Sequence, residues 1–187
     1  MNEIIKLGLK GTVELQNHQK DWEINAIEVI NQLKNLFGNV ALDIQHIGST
    51  SIEKIMAKPI IDIVVGVDNF DSLNNLLDIF SENNMVYVPF LPDDKVILIG
   101  NVEEKIWTHH IHVVIYNGEN WNNYLNFRDY LNNNTEEAKN YEKIKLKLSD
   151  ENKENREKYT KSKAKYILEI LEKAREWRKI INNKSQP

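Results

Sequence analysis

The chain has no cysteine, only 4 prolines and 7 glycines in 187 residues, and no long apolar run. Each shortage excludes something. Without cysteine there is no disulfide and no thiolate zinc site, so any metal must be held by carboxylate, imidazole or backbone oxygen, which favours magnesium or manganese. No stretch approaches the roughly 18 consecutive apolar residues of a membrane span. Met1-Asn2-Glu3-Ile4-Ile5-Lys6 lacks the cationic start and apolar centre of a secretion signal, so a cytoplasmic protein without membrane contact is expected. No repeat or low-complexity linker divides the sequence, and 41% of it is hydrophobic, which suits one domain with a real core.

The net charge of −4 hides an asymmetry. Residues 1–138 hold 9 Lys+Arg against 20 Asp+Glu, and residues 139–187 hold 15 against 8, so the body is acidic and the last quarter basic. Those lysines alternate with glutamates as on a solvated helix face, and no aromatic-basic cluster accompanies them, so nucleic acid is not an expected partner.

One residue is out of place. Asp62 sits inside Pro59-Ile60-Ile61-Asp62-Ile63-Val64-Val65-Gly66-Val67, a run apolar enough for a strand buried on both faces. Removing a carboxylate from water costs several kcal/mol or more unless a cation, a metal or good donors compensate it. Upstream, His46-Ile47-Gly48-Ser49-Thr50-Ser51 ends another apolar stretch in a Gly-Ser turn. Gly48 lets backbone approach a ligand, Ser49 or Thr50 can add a hydroxyl, and a helix start beyond the turn would offer free amides to phosphate. His46 reads as a buttress of that turn.

Around these motifs the spacing predicts a helix over 14–37 stopped by Gly38, a strand over 40–47, and a short helix opened by a capping box at Thr50-Ser51-Ile52-Glu53 and ended before Pro59. The Asp62 strand follows, then a helix over 71–82, strands at 85–90 and 95–100 around Pro92-Asp93-Asp94, and a strand from Ile106 to Tyr116. From 119 the pattern is helical, broken near 132–135 and 150–152, with a last helix over 154–180. The fold class is α+β: a core over about 12–118 and a helical C-terminal part over about 119–180.

Three more features carry chemistry. In Thr108-His109-His110-Ile111-His112-Val113, a regular strand puts His110 and His112 on one face and His109 on the other, so the pair can bind a metal or contact phosphate. On the helix near 120–132, Trp121, Tyr124, Leu125, Arg128 and Leu131 share a stripe that turns Arg128 inward. Tyr159, Lys163, Ile167, Ile170, Ala174 and Trp177 do the same for Lys163. A cation on a packed stripe wants an anion, either a carboxylate or a phosphate. Lys58, beside the Asp62 strand, can reach the cleft rim.

His46-Ile47-Gly48-Ser49-Thr50, Ala57-Lys58-Pro59-Ile60-Ile61-Asp62-Ile63, Thr108-His109-His110-Ile111-His112-Val113, Phe127-Arg128-Asp129-Tyr130-Leu131 and Tyr159-Thr160 with Lys163 together resemble the GrpB family of the nucleotidyltransferase superfamily, over about 12–178. The resemblance implies a minimal nucleotidyltransferase-like mixed sheet backed by helices, with the cleft on the other face. It implies a nucleoside triphosphate or related phosphometabolite bound by Gly48, Ser49, Thr50, Lys58, Arg128 and Lys163. Asp62, His110 and His112 are the expected catalytic residues, with Asp62 and His112 on a magnesium or manganese ion. The superfamily pattern has a second acid two residues after the first, where this chain has Val64, so the two-metal mechanism does not carry over intact. The alternative is a binding module without chemistry, linked to coenzyme A metabolism because similar domains are fused to dephospho-CoA kinase.

Overall fold

In the computed structural model, which describes residues 7–8, 12–89 and 92–184, the order of elements is α1 (Lys20–Phe37), β1 (Ala41–Ile47), β2 (Ile61–Val67), α2 (Leu77–Glu82), β3 (Met85–Val88), β4 (Lys95–Asn101), β5 (Ile106–Ile115), α3 (Glu119–Asn133), α4 (Thr135–Glu151) and α5 (Arg156–Lys184). The α+β class is as the sequence predicts. Phe90, the end of the expected 85–90 strand, lies outside the described residues.

α1 forms because Trp22, Ala26, Val29, Leu33 and Phe37 recur at three and four residues and are all buried. Asp21 and Glu23 complement the positive end of its dipole, and Gly38, at φ 53, turns the chain while its N–H bonds to the Lys34 carbonyl. The helix begins at Lys20, later than expected from 14, because Gln16 pairs as an extended bridge with Ala57.

The five strands form one mixed sheet in the order β1-β2-β5-β4-β3. β2 runs parallel to β5 and every other neighbouring pair is antiparallel. The alternation within β2 and β5 then divides the two faces. Ile61, Ile63, Val65, Ile111 and Val113 pack with Trp22, Leu33 and Phe37 of α1, each buried side chain contributing about 1.5–3 kcal/mol. Asp62, Val64, His110 and His112 point the other way.

That second face is covered at one end by Trp121 of α3, packed with Ile47, Val64 and Val114. A further apolar cluster of Tyr130, Leu131, Ala138, Tyr141, Ile170 and Ala174 joins α3, α4 and α5 into a helical layer. The expected break near 132–135 falls at Asn134, and the second break separates α4 from α5.

The short helix expected from Thr50 to Pro59 is absent, which corrects the capping-box reading. A single 3-10 turn covers Ser49–Ser51, and the chain then stays irregular. Tertiary demand overrides the local signal: Ile52 and Ile55 are drawn into the helical layer, and Glu142 accepts the Met56 N–H at 2.5 Å. The 71–82 helix is also divided, into a 3-10 segment over Asp71–Leu76 and α2.

Candidate functional site

Asp62 lies opposite His110 in the parallel register of β2 and β5. Its side chain is 28% exposed, and its Oδ1 is 3.2 Å from His110 Nδ1. The turn before it is shaped to fit. Gly48, at φ 72 and ψ −169, occupies a region of backbone space essentially closed to other residues, and a Cβ there would collide with the Asp62 carboxylate. Glycine is therefore required at 48 by the packing of turn against acid.

The Asp62 carboxylate opens onto a cavity of about 290 Å³ that Ser49, Lys58, His110, Lys145, Arg156 and Lys163 also line. Four of those groups are cationic side chains, and among the described residues of the lining Asp62 is the single carboxylate. Arg156 and Lys163 stand on one face of α5, separated by seven residues, with Tyr159 between them. The Tyr159 ring receives Lys58 Nζ at 5.2 Å and Lys163 Nζ at 4.8 Å from its centroid, so cation–π attraction helps hold two ammonium groups together. Lys145 donates to the Met56 carbonyl and lies 5.0 Å from the Tyr141 ring.

Such crowding shifts ionisation. Burial, then the charges of Lys163 and Arg156, push the Lys58 pKa down to about 7 against the pull of Asp62. Burial and the neighbouring Lys163 bring Lys145 to about 7 as well, with Glu142 opposing. Lys163 is lowered by burial, partly offset by Asp62. Burial works to raise the Asp62 pKa, but the His110 hydrogen bond and the nearby charges outweigh it and hold the carboxylate below its usual range.

A second cavity, of about 390 Å³, meets the first at Ser49, Asp62 and Lys163, which line both. Its wall is different: Tyr124, Phe127 and Tyr141 supply ring surface, and Asn120 and Asn123 supply amides. Gly48 borders this chamber.

The other expected site residues are placed elsewhere. Thr50 is buried and its Oγ1 lies 3.0 Å from His46 Nε2. Burial lowers the His46 pKa to about 4, which keeps the ring neutral and suits the buttress role. Arg128 donates to the His46 carbonyl at 3.0 Å, to Gln45 Oε1 at 3.2 Å and to Asp129. Thr50, His46 and Arg128 line a separate groove, which does not include Asp62.

His112 is on the predicted face but has its own partners. Its Nδ1 lies 3.1 Å from Asp94 Oδ2 and 2.9 Å from the Tyr124 hydroxyl, which in turn donates to Asp94 at 2.5 Å. Burial works against charge on His112, and the Asp94 hydrogen bond overcomes it, so its pKa is raised. His109 projects to the α1 side, as predicted, and bonds to Asn25 at 2.8 Å.

Magnesium or manganese fits this donor set poorly. Asp62 shares an oxygen with His110, its neighbours in the cavity are cations, and Val64, in the second acid's place, is sealed beneath Trp121. Among the described residues no group of three or more His, Asp or Glu side chains is arranged to hold a metal ion.

Lys145, Arg156 and Asp94 are the residues that sequence reasoning missed. Arg156 carries a signal in its seven-residue spacing from Lys163, and Lys145 in its four-residue spacing from Tyr141. Nothing in the spacing of Asp94 announces His112 as its partner.

The GrpB protein family matches residues 12–173. The glutamate-rich protein GrpB of Alkalihalophilus pseudofirmus is 34% identical over 170 residues, which cover 87% of this chain and 95% of that protein. The UPF0157 protein YqkA of Bacillus subtilis is 29% identical over 93% of this chain and 50% of its own length. Among solved structures, GrpB from Enterococcus faecalis superposes with a TM-score of 0.79 at 27% identity, covering 86% of this chain and 96% of that one. The chain belongs to the GrpB family.

Proposed function

We propose that this GrpB-family chain binds a phosphorylated small molecule, with nucleoside triphosphates in the class, between β2, β5 and α5. The observation that carries the reading is the imbalance of charge in one cavity: Lys58, Lys145, Arg156 and Lys163 against Asp62. Burying several cations without matching acids is unfavourable unless a polyanion arrives, and phosphate oxygens accept from ammonium and guanidinium groups alike. The adjoining aromatic and amide-lined chamber has the chemistry to take the organic part of such a ligand. Coenzyme A precursors are the alternative occupants.

Binding has more support than two-metal nucleotidyl transfer. The transfer would require a second carboxylate where Val64 packs on Trp121. Any magnesium would enter as part of the ligand's phosphate complex.

Calorimetric titration with nucleoside triphosphates and coenzyme A precursors, each followed for pyrophosphate release, tests the reading. Saturable binding by wild type that weakens roughly tenfold or more in Lys163→Met is expected, as for loss of a charge-assisted contact. Equal affinity in the two proteins would show that the ligand sits elsewhere. Pyrophosphate release would add transfer to binding.

A further inference from the structure

Asp62 is the residue that the nucleotidyltransferase resemblance assigns to a metal, and its surroundings give it another task. Its Oδ1 faces His110 Nδ1 at 3.2 Å. The other ring nitrogen, Nε2, is 3.4 Å from an Arg156 guanidinium nitrogen. Arginine has donors only, so the nitrogen facing it presents a lone pair. The tautomer with its proton on Nδ1, donated to Asp62, is the one that suits both contacts. A single tautomer satisfies both neighbours, and it leaves an acceptor nitrogen among the cations of the cavity.

The remaining oxygen of Asp62 lies against Gly48, where the backbone leaves no room even for a Cβ. Lys58, Arg156 and Lys163 all act electrostatically on this carboxylate, and they would repel a divalent cation placed beside it. We infer that Asp62 is the orienting partner of His110, and that the cavity takes its phosphorylated ligand without a protein-held divalent metal. This rests on the binding reading above and names its mode. In this arrangement Asp62 is a net opponent of the incoming anion, tolerated because it fixes the histidine whose other nitrogen faces Arg156 at the cavity wall. The metal reading gives the carboxylate the opposite sign of effect.

Inorganic tripolyphosphate is the probe, titrated by calorimetry into the full chain in EDTA and again in excess magnesium, with wild type, Asp62→Asn and Lys163→Met. Wild type is expected to bind in EDTA at least as tightly as in magnesium. Asp62→Asn should bind equally or up to roughly tenfold more tightly, since a charge opposing the ligand has gone, and Lys163→Met should lose about tenfold. Binding that needs magnesium and disappears in Asp62→Asn overturns the inference.

Long-range proton–nitrogen NMR of His110 reads the geometry independently. The Nδ1–H tautomer is expected in wild type, and its share should fall in Asp62→Asn, whose amide no longer demands that proton. A dominant Nε2–H tautomer in wild type overturns the orienting role. Absence of tripolyphosphate binding in both buffers overturns the phosphate reading, while the tautomer still decides the role of Asp62.

Discussion

Gly48 and Asp62 are fitted to each other. The glycine's φ of 72 and ψ of −169 belong to a region that other residues occupy at a cost of about 1–3 kcal/mol, and an added methyl would strike the carboxylate as well. Gly48→Ala should therefore lower urea-denaturation stability by about 2 kcal/mol or more; an unchanged midpoint would show that the turn has room to relax. Lys58 and Lys145, with pKa values near 7, make a further prediction. Their unfolded values lie near 10.5, so below pH 7 both states carry the proton and the folded protein bears the full cost of burying charge. As pH rises above 7 the folded state sheds these protons first and that cost declines, which raises stability up to about the unfolded value. Comparing urea midpoints at pH 7 and pH 9.5 for wild type and Lys58→Met should show this gain reduced in the variant. The proposed polyanion affinity is expected to run the other way in calorimetric titration, falling as the pH rises through 7 and the ammonium groups lose charge.

At the scale of elements, β2 and β5 decide the site by alternation. Asp62, Val64, His110 and His112 share a face because strand side chains alternate, and the parallel register places Asp62 beside His110 and Val64 beside His112. Val64 is fully buried with Trp121, so Val64→Asp, which puts an acid two residues after Asp62, would set an unpaired carboxylate in an apolar cluster. A stability loss of about 3 kcal/mol or more is expected by thermal or chemical denaturation, with no gain in magnesium affinity; a stable variant that binds magnesium would contradict this reading of the β2 face. The periodicities of α1, β2, β5 and α5 made these elements and the inward turn of Lys163 legible in the sequence, because period and burial are local properties. The 50–58 segment was not legible, since its capping box competes with the burial of Ile52 and Ile55 against distant helices. Arg128 illustrates the same limit. Its stripe correctly turned it toward the body, but only the tertiary arrangement assigns it to the carbonyl of His46 and the groove beyond Thr50.

Over the whole molecule, the uneven charge of the sequence is resolved within the fold. The basic C-terminal part sends Lys145, Arg156 and Lys163 into the cavity, while Lys173, Arg175 and Arg178 reach back to Glu137, Glu119 and Asp129. The Lys173 and Arg175 pairs are the more exposed and individually weak, on the order of 0–1 kcal/mol, and the Arg178–Asp129 pair is half-buried, whereas the inner cations face one carboxylate among the described lining residues, the imbalance on which the phosphate proposal rests. No helix among the described residues is long and apolar enough to cross a membrane. The cavity lies between the sheet and the helical layer, so a ligand there ties the two together and should raise the melting temperature with its concentration. The most direct measurement is a crystal structure determined with tripolyphosphate. Phosphate oxygens within hydrogen-bonding reach of Lys58, Arg156 and Lys163 are the predicted result; phosphate seated in the Arg128 groove, with the Asp62 cavity left empty, would contradict the account.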